Sequence, residues 1–352
     1  MQTLDLLKEL SEATGPSGYE GPVRARLEAL WEPLVDALHS DALGNLIAYK
    51  RGNSTAETRP TLMAAAHMDE IALMVTDIEE GFLRVTPIGG VDRRALLGQA
   101  VIVHGKAPLP GIIGTRPPHV LSEEDRKKTV PWEQIFVDVG LPAAAVADQV
   151  HVGDVITLDR SLIALKNDLV AGKALDNRAS VAALTLALEG LAQREHLWDF
   201  YAVATVQEEM GLKGAITSAY GVHPDVAIAI DATFGQQHNQ NGPGTFELDK
   251  GPTIGLGPNF HPHIVARLKE TAKRHEIPYH IEPLPRSSGT DAWGIQVARE
   301  GIPTGLLSIP VRYMHQPVET LALRDVERTA RLLTAYVAKL GAEDMPRWED
   351  EL

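Results

Sequence analysis

The stretch TLMAAAHMDE, Thr61 to Glu70, decides the fold. Thr61 to Ala66 is a short apolar run without polar alternation, which predicts a strand buried on both faces. It stops abruptly at His67-Met68-Asp69-Glu70. Three later runs have the same character: Phe200 to Val206, Val226 to Ile230 and Pro303 to Ile309. Between and around them lie helical patterns: the Ala- and Leu-rich segment Asn177 to Ala192, His263 to His275, and a C-terminal face of Val326, Ala330, Leu333, Val337 and Leu340. Upstream, Val23, Leu27, Leu30, Trp31 and Leu34 share one helix face, and GNLIAYK reads as a strand. Strands alternating with helices predict an α/β fold, a mostly parallel sheet flanked by helices.

Residues 71–165 have a different texture. Phe82 to Val85, Ala100 to Val103, Ile135 to Val139 and Val155 to Leu158 are short β-branched runs separated by Gly, Pro and Asp. Such spacing predicts a small all-β unit. Thr115 to Trp132, with Pro117-Pro118 and SEEDRKK, reads as a long exposed loop holding His119, read as an ordinary loop residue with reach to a neighbouring subunit's site as the alternative. The expected organisation is therefore a discontinuous α/β domain, 1–70 and 166–352, interrupted by an all-β insertion at 71–165. The acidic WEDEL at the end is expected to be a solvated tail.

Composition narrows the function. Acids outnumber bases 47 to 33, for a formal net charge of −14. That excludes nucleic acid and anionic membrane as main partners, since each needs a basic face. The chain has no cysteine, so a metal would have to sit on His, Asp and Glu. No run of about 18 apolar residues suggests a membrane helix. The N-terminal MQTLDLLKELSEATG is amphipathic and lacks the pattern of an export signal, so a cytoplasmic location is expected.

Several buried-strand candidates end at an acid or a histidine: His67 and Asp69, Glu208-Glu209, Asp231, and Tyr313-Met314-His315. Ligands of open α/β sheets bind beyond the carboxyl ends of the strands. These groups are expected to share one crevice with Asp176, which either caps the helix it precedes or projects into it. Two histidines and several carboxylates without sulfur suit zinc, cobalt or manganese. Five candidate ligands exceed the three that a single catalytic zinc usually takes, and suit two metals sharing a carboxylate. Of Glu208 and Glu209, one can bind metal while the other faces a water and serves as general base. Asp69 can accept the other ring N–H of His67 and fix its tautomer.

These residues sit within a series of motifs: ATGPSGYEGPVR (13–24), AAHMDEI (65–71), Gly89-Gly90, ALDNRAS (174–180), QEEMGLKGA (207–215), IDAT (230–233), SGTDA (288–292) and RYMHQPVE (312–319). In this order and spacing the chain resembles, over nearly its whole length, the co-catalytic metallo-aminopeptidases that include glutamyl-aminopeptidases, deblocking aminopeptidases and tetrahedral (TET) aminopeptidases. The resemblance implies two divalent metal ions per subunit. His67 and Asp231 would hold one, Glu209 and His315 the other, with Asp176 bridging. It also implies Glu208 as general base and Asp69 as the partner of His67. The insertion becomes a small β-barrel dimerisation domain, and the assembly a homo-oligomer in which dimers build a tetrahedral dodecamer. Ala72, Gln207 and Trp293 depart from the commonest pattern of the family without removing a ligand.

The expected activity is removal of N-terminal residues from peptides with a free N-terminus. An amide deacylase on the same site, a glycosidase using the paired acids, and a non-enzymatic peptide-binding scaffold are the alternatives. Arg286, Gly289, Thr290 and Asp291 are candidates for the substrate pocket, and Arg286 or Lys213 could make it basic.

Overall fold

The computed structural model describes residues 2–346; the WEDEL segment lies outside them. The strands follow in chain order. β1 (Ala37–Ser40), β2 (Leu46–Lys50) and β3 (Thr61–His67) open the chain. Then come β4 (Ala72–Glu79), β5 (Phe82–Ile88), β6 (Ala100–His104), β7 (Pro108–Gly114), β8 (Phe136–Asp138) and β9 (Val155–Leu158). After the short β10 (Ile163–Ala164) and β11 (Leu169–Gly172) follow β12 (Asp199–Thr205), β13 (Val226–Phe234), β14 (Thr253–Leu256), β15 (His280–Pro283), β16 (Thr304–Val311) and β17 (Glu319–Ala322).

An eight-stranded sheet has the order β1-β2-β12-β3-β13-β16-β14-β15. Its centre is parallel: β3 pairs with β12 on one side and β13 on the other, and β13 pairs with β16. The register aligns Thr205 with His67 and Asp231 with Ser308, so these residues stand along one edge of the sheet. Met63, Ala64, Ala65 and Ala66 of β3 are all buried, as expected of a strand covered on both faces.

The helices are α1 (Thr3–Glu12), α2 (Gly21–Trp31), α3 (Ala143–Gln149), α4 (Leu175–Ala192), α5 (Lys213–Val222), α6 (Pro262–Arg274), α7 (Asp291–Gln296) and α8 (Leu323–Val337). Val23, Leu27 and Trp31 of α2, and Val326, Leu333 and Val337 of α8, face the main core. Leu340 falls just beyond α8, yet is still buried against it.

Strands β4 to β9 close into a barrel of order β4-β5-β8-β7-β6-β9. Its interior, built on Leu73, Val75, Val101, Val103 and Val137, is a hydrophobic cluster separate from the one beneath the large sheet. Two strands of the barrel, β4 and β7, and the helix α3 were not among the sequence expectations. The 115–132 segment is punctuated by tight helical turns at Pro118–Val120 and Asp125–Lys127, with His119 in the first. No helix among the described residues is long and apolar enough to cross a membrane.

Candidate metal centre

The parallel centre of the sheet delivers the site. β3 ends on His67, and the turn after β12 carries Glu208 and Glu209. Asp231 lies inside β13 rather than at its end, because that strand runs on to Phe234. Its register partner Ser308 and its neighbour His67 leave its side chain facing the same crevice. His315 follows β16 in a left-handed backbone conformation, and the tight turn aims its ring back at the sheet edge. Asp176 does not cap a helix: its backbone and that of Asn177 are non-helical, and no side-chain cap bond forms. Its carboxylate lies between the two histidines instead.

His67 Nε2 is 3.4 Å from Asp176 Oδ1 and 3.7 Å from Asp231 Oδ1. His315 Nε2 is 3.4 Å from Asp176 Oδ2 and 3.5 Å from Glu209 Oε1. These gaps are too long for good hydrogen bonds. They are the gaps of ligands around a common centre: four atoms each about 2.0–2.2 Å from an ion stand roughly 3.3–3.6 Å from one another. His67, Asp176 and Asp231 form one such group and Asp176, Glu209 and His315 another, so Asp176 belongs to both. A third grouping of His67, Glu208 and Glu209 is also within reach. Oxygen and imidazole nitrogen donors around two centres, with no thiolate, fit zinc, cobalt or manganese.

Both histidines present the correct nitrogen. His315 Nδ1 donates to the Gly90 carbonyl at 3.0 Å, which leaves the Nε2 lone pair for the carboxylate side. A Cβ on Gly90 would lie 2.5 Å from that Nδ1, so the approach needs glycine. His67 Nδ1 faces the Asp69 carbonyl at 3.3 Å and Asp69 Oδ1 at 3.4 Å.

Asp69 is fully buried and acts as a hub. Its carboxylate accepts the Glu208 N–H at 3.0 Å, the Glu209 N–H at 3.2 Å and the Ser17 hydroxyl. Glu319 has a parallel task, accepting the Asp176 N–H at 2.9 Å and the His315 N–H at 2.8 Å. Behind the site, Glu70 is buried with Lys173 at 2.6 Å and takes the Gly15 N–H, while the fully buried Arg178 ties the carbonyls of Leu10 and Ala13.

The charge balance is strained towards protonation. Burial, then the neighbouring Asp231, Asp291 and Glu209, push Glu208 up to about 10 against the opposing pull of His67. Burial and Asp176 push Glu209 up to about 7. Burial also raises Asp231, with Asp176 and Asp291 adding to it. The Asp176 carboxylate holds His315 up to about 10. Burial works against a charged His67, but Glu208, Asp176 and Asp69 outweigh it and raise it. Burial likewise opposes an ionised Asp176, yet the two histidines hold it below the usual carboxylate range. Packed acids that cling to protons are what remains when positive charge belongs between them.

The site forms the floor of a cavity of about 640 Å³. Its walls include Gly289 and Thr290. Arg286 is not on them; its exposed residue offers only a backbone carbonyl, to Asn259. Asp291 lies behind the wall and accepts the Thr205 hydroxyl at 2.5 Å. Lys213 is exposed and meets Gln207. Sequence reasoning missed Ser17, Glu319 and the wall residue Glu282. The first two stand inside the quoted motifs, Glu319 four residues beyond His315, which is the available signal; Glu282 carried none.

The profile of the M42 glutamyl aminopeptidase family matches residues 44–332. The chain is 39% identical over 346 residues to the lysyl aminopeptidase of Pyrococcus furiosus, covering 97% of this chain and 98% of that protein. Its fold is similar to an aminopeptidase from the archaeon Desulfurococcus kamchatkensis, with a TM-score of 0.90, 37% identity and coverage of 98% and 96%. It is also similar to the TET1 peptidase of Pyrococcus horikoshii, which assembles into a tetrahedron or a large octahedral shell, with a TM-score of 0.85, 32% identity and coverage of 96% and 100%.

Proposed function

The chain belongs to the M42 glutamyl aminopeptidase family and is a peptide hydrolase; from that premise we propose that it releases the N-terminal residue of peptides at the centre built on Asp176. The observation that carries the proposal is the pair of ligand groups sharing Asp176, with Glu208 beside them, at the floor of a cavity open to a peptide end. His67 and Asp231 would hold one divalent ion and Glu209 and His315 the other, with Asp176 common to both. Bound there, such ions polarise a scissile carbonyl and lower the pKa of water.

The remaining work falls to the chain itself. Glu208 Oε2 is 3.9 Å from His67 Nε2 and borders the cavity, where it can reach the attacking water. It takes the water's proton and returns it to the leaving amine. The positive charge of two ions bound beside it would oppose the protonation that burial and the neighbouring acids favour, leaving the carboxylate free to take that proton. Asp69 holds the backbone of both Glu208 and Glu209, which keeps base and ligand turned in different directions. Ser288, Gly289 and Thr290 line the cavity where the substrate backbone would lie.

The proposed division, 1–70 with 166–352 around an insertion at 71–165, is supported by the barrel's own hydrophobic cluster, while Leu162 packs in the main core and Ile163–Ala164 pairs with Leu169–Gly172. The barrel would pair two copies, and the dimers would build a tetrahedral dodecamer. Its exposed Ile112 and Val152 supply apolar surface for such a contact. Light scattering on the purified protein tests the assembly.

The activity is tested by stripping the protein with a chelator and restoring zinc, cobalt or manganese. Leucyl-p-nitroanilide and its N-acetylated form are then compared, with metal content read by elemental analysis. Cleavage of the free amine alone, two ions per chain, and a Glu208→Gln variant that keeps both ions but loses turnover support the reading. Preference for the acetylated substrate would replace it with a deacylase, and an active Glu208→Gln would remove Glu208 from its role.

A further inference from the structure

A second cavity, of about 310 Å³, lies between the last turns of α4 and one face of α8, with Thr3 of α1 and the residues just beyond α6 completing its lining. It is at the small end of ligand pockets, which run about 300–1,000 Å³. It shares no residue with the cavity of the metal centre. α4 carries Asp176 at its start and the lining residue Gly190 near its end, a rise of about 20 Å along the helix.

The floor is apolar: Ile277, Ala330 and Ala335 are buried, and Leu186 joins them. Charges of both signs stand around it. Arg194 and Arg331 line the cavity, and neither forms an ion pair or a side-chain hydrogen bond among the described residues. In a chain with 47 acids and 33 bases, neighbouring cations without an acid against them are unexpected. Helix spacing even sets Glu327 one turn from Arg331 on α8, yet the two do not pair. Glu327 instead accepts the Thr3 hydroxyl at 2.8 Å through Oε1, and its Oε2 takes no hydrogen bond among the described residues. The positive field acts on His275, also on the lining, whose pKa is held below its usual value by burial and then by Lys339, Arg194, Arg274 and Arg331. The buried Nε2 of that ring has no hydrogen-bond partner.

Each part has a chemical complement. Guanidinium forks match a carboxylate. The Glu327 carboxylate matches an ammonium, and the floor matches an aliphatic chain. An inorganic anion would leave the floor unused and face Glu327 as a like charge, whereas an amine would leave both arginines unused. We propose that this cavity is a binding site for a free aliphatic α-amino acid, its carboxylate on Arg194 and Arg331, its ammonium on Glu327 and its side chain on the floor. Amino acids are what a peptide hydrolase releases, so the chain's own reaction supplies a ligand of this class.

The test uses the metal-loaded full chain. Radiolabelled L-leucine bound per chain is counted by equilibrium dialysis, which includes any leucine at the metal centre. Calorimetry then compares L-leucine with 4-methylpentanoate, which lacks the ammonium, and 3-methylbutylamine, which lacks the carboxylate. The variants are Arg194→Gln/Arg331→Gln and Glu327→Gln, at exposed positions outside the metal centre, so kcat/KM on leucyl-p-nitroanilide should not change. Wild type should bind one leucine per chain more than the double arginine variant, with a Kd of about 1 mM or below, ordinary for a ligand of this size. Both analogues should bind about 10-fold or more weakly, the share of one lost charge-assisted contact. In Glu327→Gln, leucine should lose its advantage over 4-methylpentanoate. Equal leucine counts in wild type and the double variant overturn the site. A 4-methylpentanoate or 3-methylbutylamine that binds as well as leucine overturns the amino-acid assignment. Binding is read without turnover, so either failure leaves the aminopeptidase reading untouched.

Discussion

Replacing Asp69 by asparagine changes one atom and should disable the site in a measurable way. The Asp69 carboxylate receives three donors, the N–H groups of Glu208 and Glu209 and the Ser17 hydroxyl, and also faces His67 Nδ1. Asparagine has one acceptor oxygen and an NH₂ group. With the NH₂ at the Oδ1 position, donors point at the Glu208 N–H and His67 Nδ1. With it at Oδ2, Ser17 can turn to accept, but the Glu209 N–H is left facing a donor. Either way at least one buried N–H goes unmet, costing about 1–3 kcal/mol, and a charge-assisted bond becomes a neutral one, costing roughly 1 kcal/mol more. The expected destabilisation is about 2–4 kcal/mol. It is concentrated on the turn that carries base and ligand. Loss of the carboxylate behind His67 should weaken metal binding about 10–100-fold. The assay is a chelator-competition titration with denaturant unfolding on the same protein, then kcat and KM at saturating metal. The expected pattern is weaker metal, lower kcat and a KM that moves little. Wild-type metal affinity and kcat in a folded Asp69→Asn would refute the hub assignment.

Other perturbations follow from the same geometry. Gly90→Ala puts a methyl 2.5 Å from His315 Nδ1; metal content should fall by half or more while far-ultraviolet circular dichroism stays native, and full occupancy would contradict the contact. At pH 7.5 the metal-free site holds the proton on His315, raised to about 10, and part of one on Glu209, raised to about 7. Ligands must be unprotonated, so loading expels protons and metal affinity rises with pH between about 6 and 9. Calorimetry in two buffers of different ionisation enthalpy should show at least one proton released, and none would refute it. Lys173→Met leaves Glu70 buried with only the more distant Arg178 for charge compensation; denaturant titration should show a loss of about 3–5 kcal/mol, as for other broken buried pairs.

The parts of the fold legible in the sequence are those whose local pattern and tertiary role agree. TLMAAAH reads as a doubly buried strand because nothing polar interrupts it, and it is one. The helix face of Val23, Leu27 and Trp31 is visible for the same reason. Strands β14, β15 and β17 have four residues each, too few for a periodicity, and their identity comes from neighbours in the sheet. The end of β13 was misplaced because Asp231 looks like a turn former, whereas its strand continues past it to Phe234. The candidate ligands were legible as acids and histidines at the ends of apolar runs. Their supporting residues were not. Ser17 reaches Asp69 across 52 positions and Glu319 reaches Asp176 across 143, distances over which no sequence period operates. Glu282, between Ile281 and Pro283, looks like any exposed acid until β15 is laid beside β14.

Gly90 follows β5 directly and so belongs to the strand system of the barrel, yet its carbonyl takes the Nδ1 proton of His315 on the other body. The site is therefore a seam. One of its histidines has its tautomer chosen by a chain segment that folds around a different core. The same segment also brings Gly89 close to Glu209, where an added Cβ would stand 3.2 Å from its Oε2, so the barrel meets the site at two of its candidate ligands. Anyone exchanging this insertion for another would have to carry the Gly90 carbonyl across unchanged.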